Sequence, residues 1–521
     1  MKGDNIFEAM SFIDSELIEK ADEAPKKAEK NSFALKIRKT TWISSVTAVI
    51  VALILCSAIL LNHIINPGSD LIGDTTTGPG LYIPSVDTTT VSGNNNYIPG
   101  EDITTAPIVN VYVPNDNLLL NYSVASPSYP IMAKFPSNED EYYEWRDSLL
   151  EREKYYGAGK NLTNFFKSST QAILGDVTTE NAVYSPVNVY MTLAMLAETS
   201  TGNTRAQILN ALDAKSIEGL RTQANSVWNA CYRDDDKIMS RMANSLWLNE
   251  KIKTGDTSIL AENYYASVFR GDMSDDEYGE AYTEWLKKET GGFLNGIIDD
   301  KKFDSDTVMT LASTLYFKAS WDSKFNKELT KKGVFHSPTG DVTYDFMNQK
   351  SNSIYFYGEM YSATYKTLGN DGYMYFILPD EDVSISELLS NDEALAFIYD
   401  PWNVGNNVLY KVNLSLPKFD ISMKKDLKSD IEALGITDCF DSNNADFSEF
   451  FPENKPFVYE MEHGVRVSVD EESCSGAAYF QANAWGSSPT EEIDFILDRP
   501  FIFVITGPDG LPLFIGVVNQ P

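Results

Sequence analysis

The last part of the chain places one long loop between strand patterns, and this arrangement restricts the possible folds most. Residues 464–469 alternate polar and apolar side chains, the period of a half-buried strand. The following stretch, 470–489, is poor in large aliphatic side chains and ends in turn-forming residues. Strand patterns resume at Ile493 and continue as a predicted hairpin over 500–518. A long loop of small residues is accessible to a protease, and its side chains are small enough to join a sheet afterwards.

The order of the remaining patterns predicts the fold class. Helical patterns dominate from about residue 158 to residue 300, and strand patterns dominate after Met309. Residues 188–196 are apolar nearly all round, so we expect a buried helix there. Helices followed by strands predict an α+β domain.

The N-terminal part contains one candidate membrane segment, residues 42–65, which carries no acidic side chain, Lys or Arg. It is long enough to cross a hydrocarbon core of about 30 Å. Basic residues precede it, and none follows until Lys134. The positive-inside rule therefore predicts a single-pass protein of the cell membrane, with residues 1–41 in the cytoplasm and the rest outside.

Two alternatives for this segment fit less well. A cleaved signal peptide would start earlier, would be shorter and would end in small residues. A lipoprotein would use Cys56, but Leu55 occupies the position where a small residue is expected.

Between the predicted anchor and the globular part, residues 66–140 are rich in Thr, Pro, Gly and Asn, which predicts an extended extracellular linker. Strand-like pieces near residues 82 and 111 leave a small fold open there. The globular domain is then predicted to span 141–521.

Composition excludes several functions. The chain has 75 acidic and 42 basic residues, a formal net charge of −33, which argues against a nucleic-acid partner. His63, His336 and His463 are isolated, and the cysteine spacing is wrong for zinc, so we expect no metal and no cofactor. Three sparse cysteines outside the anchor do not form a disulfide framework.

Catalytic motifs are also missing from the sequence. No Gly-x-Ser-x-Gly elbow, phosphate-binding loop or paired-carboxylate motif is evident. A Ser-His-Asp triad would need His336 or His463, and neither has an evident partner in the sequence. We therefore expect a binding or inhibitory protein and not an enzyme.

Seven short motifs resemble those of serpins, a family of serine protease inhibitors, and occur in the family's order. They lie at 181–188, 202–212, 314–325, 414–419, 434–436, 445–448 and 498–501. Together with the loop, the resemblance covers about residues 158 to 521. It implies a serpin fold with about three β-sheets, eight to nine helices and an exposed reactive loop. The anchor, the acidic balance and the lack of disulfides suggest a bacterial source.

The resemblance also implies a mechanism that needs no catalytic residue. A serine protease would attack the loop and form an acyl-enzyme, and the cut loop would insert as an extra strand of the central sheet. The protease would be carried along and distorted, which makes the inhibitor a suicide substrate. The alternative is a serpin fold used on the cell surface only for binding.

The hinge of the loop is assigned by aligning Ser473 with the family's hinge glycine. The hinge residues are then Glu471, Glu472, Ser473, Cys474, Ser475, Gly476, Ala477 and Ala478. Because side chains alternate along a strand, Cys474, Gly476, Ala478 and Phe480 would face inward. Three of these four are small, and no charge or proline occurs from Ser473 to Ser488, which favours insertion. Loss of the permissive glycine at 473 argues for slower insertion.

Counting forward from this hinge, the resemblance implies a reactive bond between Ser487 and Ser488. Trp485–Gly486 is the alternative. The bond Ser488–Pro489 is unfavourable because proline follows it. A serine would suit an elastase- or subtilisin-like protease, and a tryptophan would suit a chymotrypsin-like one.

Four further residues match the region where serpins open the sheet. They are Ser185, Asn188, Ser313 and Trp321. Asn188 and Ser313 differ from the residues most often found there. Trp321, together with Phe325, matches the residues that pack the top of the sheet in serpins, and Ser185 and Asn188 match a polar cluster that lets the central strands part. Without the resemblance, Trp321, Phe325, Ser185 and Asn188 are interpreted simply as core residues.

Overall fold

The structure, a computed structural model, describes residues 112–235, 238–369, 372–472 and 491–521. These residues belong to one compact unit. No helix among them is long and apolar enough to cross a membrane. The predicted anchor, 42–65, lies outside the described residues.

Helices occupy mainly the first half of the described chain, as the sequence predicts. The α-helices are α1 (Asp116–Tyr122), α2 (Glu139–Glu153), α3 (Thr163–Leu174), α4 (Pro186–Thr199), α5 (Gly202–Ala211), α6 (Ile217–Cys231), α7 (Ser258–Tyr264), α8 (Asp276–Glu289), α9 (Ile385–Ser390), α10 (Asp392–Tyr399), α11 (Pro401–Val404) and α12 (Lys428–Ala433). Short 3-10 turns lie at Ala158–Leu162, Lys327–Leu329 and Asp438–Phe440.

Strands occupy mainly the second half. They are β1 (Ser123–Ala125), β2 (Ala182–Tyr184), β3 (Arg233–Asp234), β4 (Ile238–Asn249), β5 (Ala266–Gly271), β6 (Met309–Ala319), β7 (Lys331–Ser337), β8 (Gly340–Tyr357), β9 (Tyr361–Leu368), β10 (Gly372–Pro379), β11 (Asn406–Pro417), β12 (Phe419–Asp426), β13 (Glu462–Val469), β14 (Glu492–Ile496), β15 (Phe501–Thr506) and β16 (Pro512–Val518).

The described strands form three sheets. The first has the order β1-β5-β4-β3, and β6 pairs antiparallel with β4 along its other edge, over nearly its whole length. The second has nine strands in the order β14-β11-β8-β9-β10-β15-β16-β2, with β7 paired to β8. The third contains only β12 and β13, which are antiparallel. This mixed α+β architecture with three sheets confirms the predicted fold class.

Helix α4 is buried among these sheets. Its start follows from the sequence: Ser185 is the N-cap and accepts a hydrogen bond from the backbone N–H of Asn188, and Pro186 takes the first helical position. Both Val187 and Leu193 are fully buried, in agreement with the all-round apolar pattern. Because the helix packs against β6 and β16, it connects the first sheet to the second.

Part of the segment predicted to be a linker is folded onto the domain. Strand β1 pairs antiparallel with β5 and so extends the edge of the first sheet. Leu119 of α1 is buried against an aromatic cluster that includes Trp247 and Trp285. Lys288 of α8 forms an ion pair with Asp116 at 2.7 Å. These contacts are between residues far apart in sequence, so the local Thr- and Pro-rich composition gave no signal of them.

Candidate functional site

A cleft separates the first sheet from the third, and it is the candidate functional site. Within the described residues, β6 pairs only with β4, and β13 pairs only with β12. The cleft between β6 and β13 has a volume of about 280 Å³ and is lined by residues 314–318 of β6 and 464–470 at β13. Leu368 and Met374 of the nine-stranded sheet also line it.

The cleft is suited to an additional strand. Paired strands lie about 4.8 Å apart, and an edge strand presents backbone N–H and C=O groups to a new partner. Each of β6 and β13 has a second edge that is paired with no described strand. An extended segment inserted here could form hydrogen bonds on both sides and join the two sheets into one.

The residues predicted to start the hinge lie at one end of this cleft, directly after β13. The Trp321 indole Nε1 donates a hydrogen bond to the carbonyl oxygen of Asp470 at 2.9 Å. The backbone N–H of Phe325 donates to the carbonyl oxygen of Glu471 at 3.1 Å. The Trp321 and Phe325 rings meet edge-to-face, with centroids 6.0 Å apart. Two aromatic residues that follow β6 therefore fix the backbone immediately before the loop.

The side chain of Glu471 adds charged contacts at the same point. Its carboxylate accepts from the Thr330 hydroxyl at 2.8 Å and forms an ion pair with Lys418 at 2.9 Å. Burial favours a higher pKa for Glu471, but the Lys418 and Thr330 hydrogen bonds hold the pKa below its usual value. The next residue, Glu472, pairs with Lys327 at 2.6 Å. The predicted start of the hinge is thus held at the end of the cleft by contacts from two parts of the chain, residues 321–330 and Lys418.

A buried polar cluster lies at the end of the cleft opposite the hinge, where Asn188 lines the cleft and Ser313 and His463 directly precede the lining stretches of β6 and β13. The Ser313 hydroxyl of β6 donates to the Asn188 side-chain oxygen of α4 at 3.3 Å. The backbone N–H of Ser185 donates to Nε2 of His463, the second residue of β13, at 3.1 Å. Helix α4 therefore contacts both strands that border the cleft through hydrogen bonds.

His463 is a member of this cluster that sequence reasoning missed. It is buried, and burial lowers its pKa to about 4, so the imidazole is neutral near pH 7. Its Nε2 can therefore accept the hydrogen bond from the Ser185 backbone N–H. The sequence contained a signal: His463 is in phase with Val465, Val467 and Val469, the buried face of β13. The phase of the strand pointed the histidine inward.

The structure brings together some of the predicted site residues. Ser185, Asn188 and Ser313 form the polar cluster, whereas Trp321 lies at the end of the cleft with Glu471 and not with these three. The other predicted hinge and reactive-bond residues lie outside the described residues. They are Ser473, Cys474, Ser475, Gly476, Ala477, Ala478, Trp485, Gly486, Ser487 and Ser488.

The remaining histidines and cysteines of the described residues do not form a second candidate site. None of their His, Cys, Asp and Glu side chains form a group of three or more that could hold a metal ion. Cys231 and Cys439 are buried free thiols, and burial raises the pKa of both. His336 is exposed and pairs with Asp341 at 2.8 Å, far along the chain from the polar cluster.

Comparison with known proteins gives the family. The model of the family described as "Serpin (serine protease inhibitor)" matches residues 160–521. The chain is 29% identical over 373 residues to "Serpin-ZX" of Arabidopsis thaliana, covering 66% of this chain and 92% of that protein. It is 29% identical over 354 residues to "Leukocyte elastase inhibitor" of Sus scrofa, covering 66% of this chain and 93% of that protein.

Solved structures agree with these relatives. The native state of the thermophilic serpin tengpin superimposes with a TM-score of 0.62 at 27% identity, covering 76% of this chain and 97% of tengpin. The native stressed conformation of Arabidopsis AtSerpin1 gives a TM-score of 0.61 at 26% identity, covering 70% of this chain and 98% of that protein.

Proposed function

We propose that this chain, which belongs to the serpin family, inhibits serine proteases as a suicide substrate. The observation that carries the proposal is the cleft between β6 and β13, with the hinge held at its end by Trp321 and Phe325. An inhibitor of this kind needs a place for one new strand and a loop that starts beside that place.

The steps follow from ordinary acyl-transfer chemistry and from strand pairing. The protease serine attacks the carbonyl carbon of the reactive bond, and the new amino terminus leaves with a proton. The freed loop then enters the cleft as an extended strand, gaining backbone hydrogen bonds on both sides. If this step is faster than hydrolysis of the ester, the protease stays covalently attached, and the free energy stored in the open sheet is released.

The experiment is to mix the purified protein with subtilisin-, elastase- and chymotrypsin-like proteases and to separate the products on a denaturing gel. We expect a band at the summed mass of protease and inhibitor, and none when the protease serine is blocked beforehand. Sequencing the released C-terminal peptide should give a start at Ser488, or at Gly486 for the alternative bond. Complete cleavage without the covalent band would instead support a serpin fold used only for binding.

The proposal includes display on the outer cell surface. It is supported by the uncharged segment 42–65, the basic residues before it and the lack of Lys and Arg after it up to Lys134. External protease added to intact cells should remove the domain from the cells and leave residues 1–41 protected. A domain that stays protected until the cells are broken would contradict this orientation.

A further inference from the structure

Lys366 is a buried lysine in β9, near the end of the cleft where the hinge begins. Only 8% of it is exposed. Its ammonium group donates to the carbonyl oxygen of Ser323 at 2.8 Å and to the side-chain oxygen of Gln349. A buried lysine is costly unless it is well paired, and a single methionine or leucine would fill the same volume without polar atoms.

The ammonium group also lies over both aromatic rings that hold the hinge. Lys366 Nζ is 4.4 Å from the ring centroid of Phe325 and 5.3 Å from that of Trp321, both within the range of a cation–π contact. These are the residues whose N–H groups donate to the carbonyl oxygens of Glu471 and Asp470. The Lys366 ammonium group therefore contacts the two residues that bind the backbone at the start of the loop.

The backbone around the rings is attached to the same strand. Trp321 forms an antiparallel bridge with Leu368, and the N–H of Asp322 donates to the carbonyl oxygen of Thr367 at 3.1 Å. Gln349 donates to the carbonyl oxygen of Lys324 at 3.1 Å. The backbone of the turn after β6 is thus attached to β8 and β9, and both of its buried aromatic rings face the ammonium group.

We propose that Lys366 is a positioning residue for loop insertion: its positive charge holds Trp321 and Phe325 against the hinge, so that the cut loop enters the cleft from its first residue. This inference rests on the proposed inhibitory function. Without the charge, the rings are less ordered, the loop enters more slowly, and a larger share of the protein is cleaved without trapping the protease.

This role makes insertion sensitive to pH near neutrality. Burial lowers the pKa of Lys366 to about 7, while the nearby Asp322 opposes this shift. The ammonium form, and with it the cation–π contact, is present below pH 7 and is lost as the pH rises through 7. The other charged groups facing this site are Asp322, Lys324, Asp470 and the pairs Lys418–Glu471 and Lys327–Glu472.

The test compares the full chain with Lys366→Met and Lys366→Arg from pH 6 to pH 8.5. All of the surrounding charged groups stay unchanged in these variants. The readout is the number of inhibitor molecules cleaved per protease trapped. At pH 6, Lys366→Met should consume about threefold to tenfold more inhibitor than the parent, the effect expected for a cation–π contact in a dry site. The difference should vanish above pH 8, where the parent has lost its charge. Lys366→Arg should keep the low-pH behaviour throughout, because a guanidinium stays protonated.

A control and a second readout separate the possible failures. Lys332→Met changes an exposed lysine on β7 that pairs with Asp345, and it should behave as the parent does. Hydrogen exchange of the Phe325 backbone amide, which donates to Glu471, can be measured without protease. At pH 6 this exchange should be faster in Lys366→Met than in the parent. A parent that traps no protease contradicts the proposed function, and the exchange measurement still tests the positioning. The inference would be overturned if the parent and Lys366→Met at pH 6 consumed the same number of inhibitor molecules per trapped protease and exchanged the Phe325 amide at the same rate. This holds even if the two proteins differ in melting temperature.

Discussion

At the residue scale, the predicted hinge begins where the buried carboxylate of Glu471 meets Lys418, and the proposed function requires that the loop after it can enter a sheet. Glu471 is 6% exposed and pairs with Lys418, so the last described part of the hinge is already fixed. From Ser473 onward the loop carries no charge up to Ser488. An inward-facing charge in this stretch would have to be buried without a partner, at a cost of several kcal/mol.

The first prediction concerns Cys474, the first inward side chain in the hinge alignment. Cys474→Arg should stall insertion while leaving the loop cleavable, so the covalent complex should fall at least about tenfold and cleaved inhibitor should accumulate. Cys474→Thr, which is small and uncharged, should keep or increase the yield of complex. Densitometry of the denaturing gel measures both products. Equal complex from Cys474→Arg and the parent would show that the alignment, and the reactive bond counted from it, are displaced.

The second prediction concerns His463. Its pKa is about 4 in the folded protein and about 6.5 in the unfolded chain. Between these values the unfolded chain binds more protons, so stability falls as the pH drops from 6.5 to 4, by about 3 kcal/mol at most. His463→Gln keeps an acceptor for the Ser185 N–H but cannot bind this proton. Urea unfolding at pH 4.5 and 7 should show less loss of stability in the variant, and an equal loss would contradict the assignment.

At the element scale, helix α4 is the part that connects the two borders of the cleft. Its first turn bonds to β6 through Asn188 and Ser313 and to β13 through Ser185 and His463. These two hydrogen bonds link β6 and β13 through the start of α4, so they must break or rearrange before the two strands can move apart.

A third prediction exchanges the partners of the α4–β6 bond. Asn188→Ser and Ser313→Asn should each lower the free energy of unfolding by about 1 kcal/mol or more, since each leaves a buried polar group poorly paired. The double variant restores one amide and one hydroxyl across the same interface, so it should lose less than the sum of the two. A coupling energy of about 0.5 kcal/mol or more in urea unfolding supports the bond. Strict additivity of the two changes would contradict it.

At the scale of the whole molecule, the sequence predicted local patterns well and long-range pairing poorly. The α+β class and the buried helix α4 followed from periodicity, and the serpin fold followed from motifs such as Ser185 before Pro186. The position of the cleft could not be predicted from these local patterns, because it depends on which distant strands pair: β13 with β12, and β6 with β4. The docking of β1 on β5 was missed for the same reason. His463 was missed because an isolated histidine carries little signal until its strand phase is followed.

The measurement that tests the central claim most directly is the melting temperature of the protein before and after a single cut at the predicted reactive bond, Ser487–Ser488, or at the alternative, Trp485–Gly486. An inserted strand adds hydrogen bonds on both sides and buries its inward side chains, which should raise the melting temperature by about 10 °C or more. The same cut in Cys474→Arg should raise it much less. A cut parent protein that melts at the same temperature as the intact one, or lower, would contradict insertion of the loop between β6 and β13.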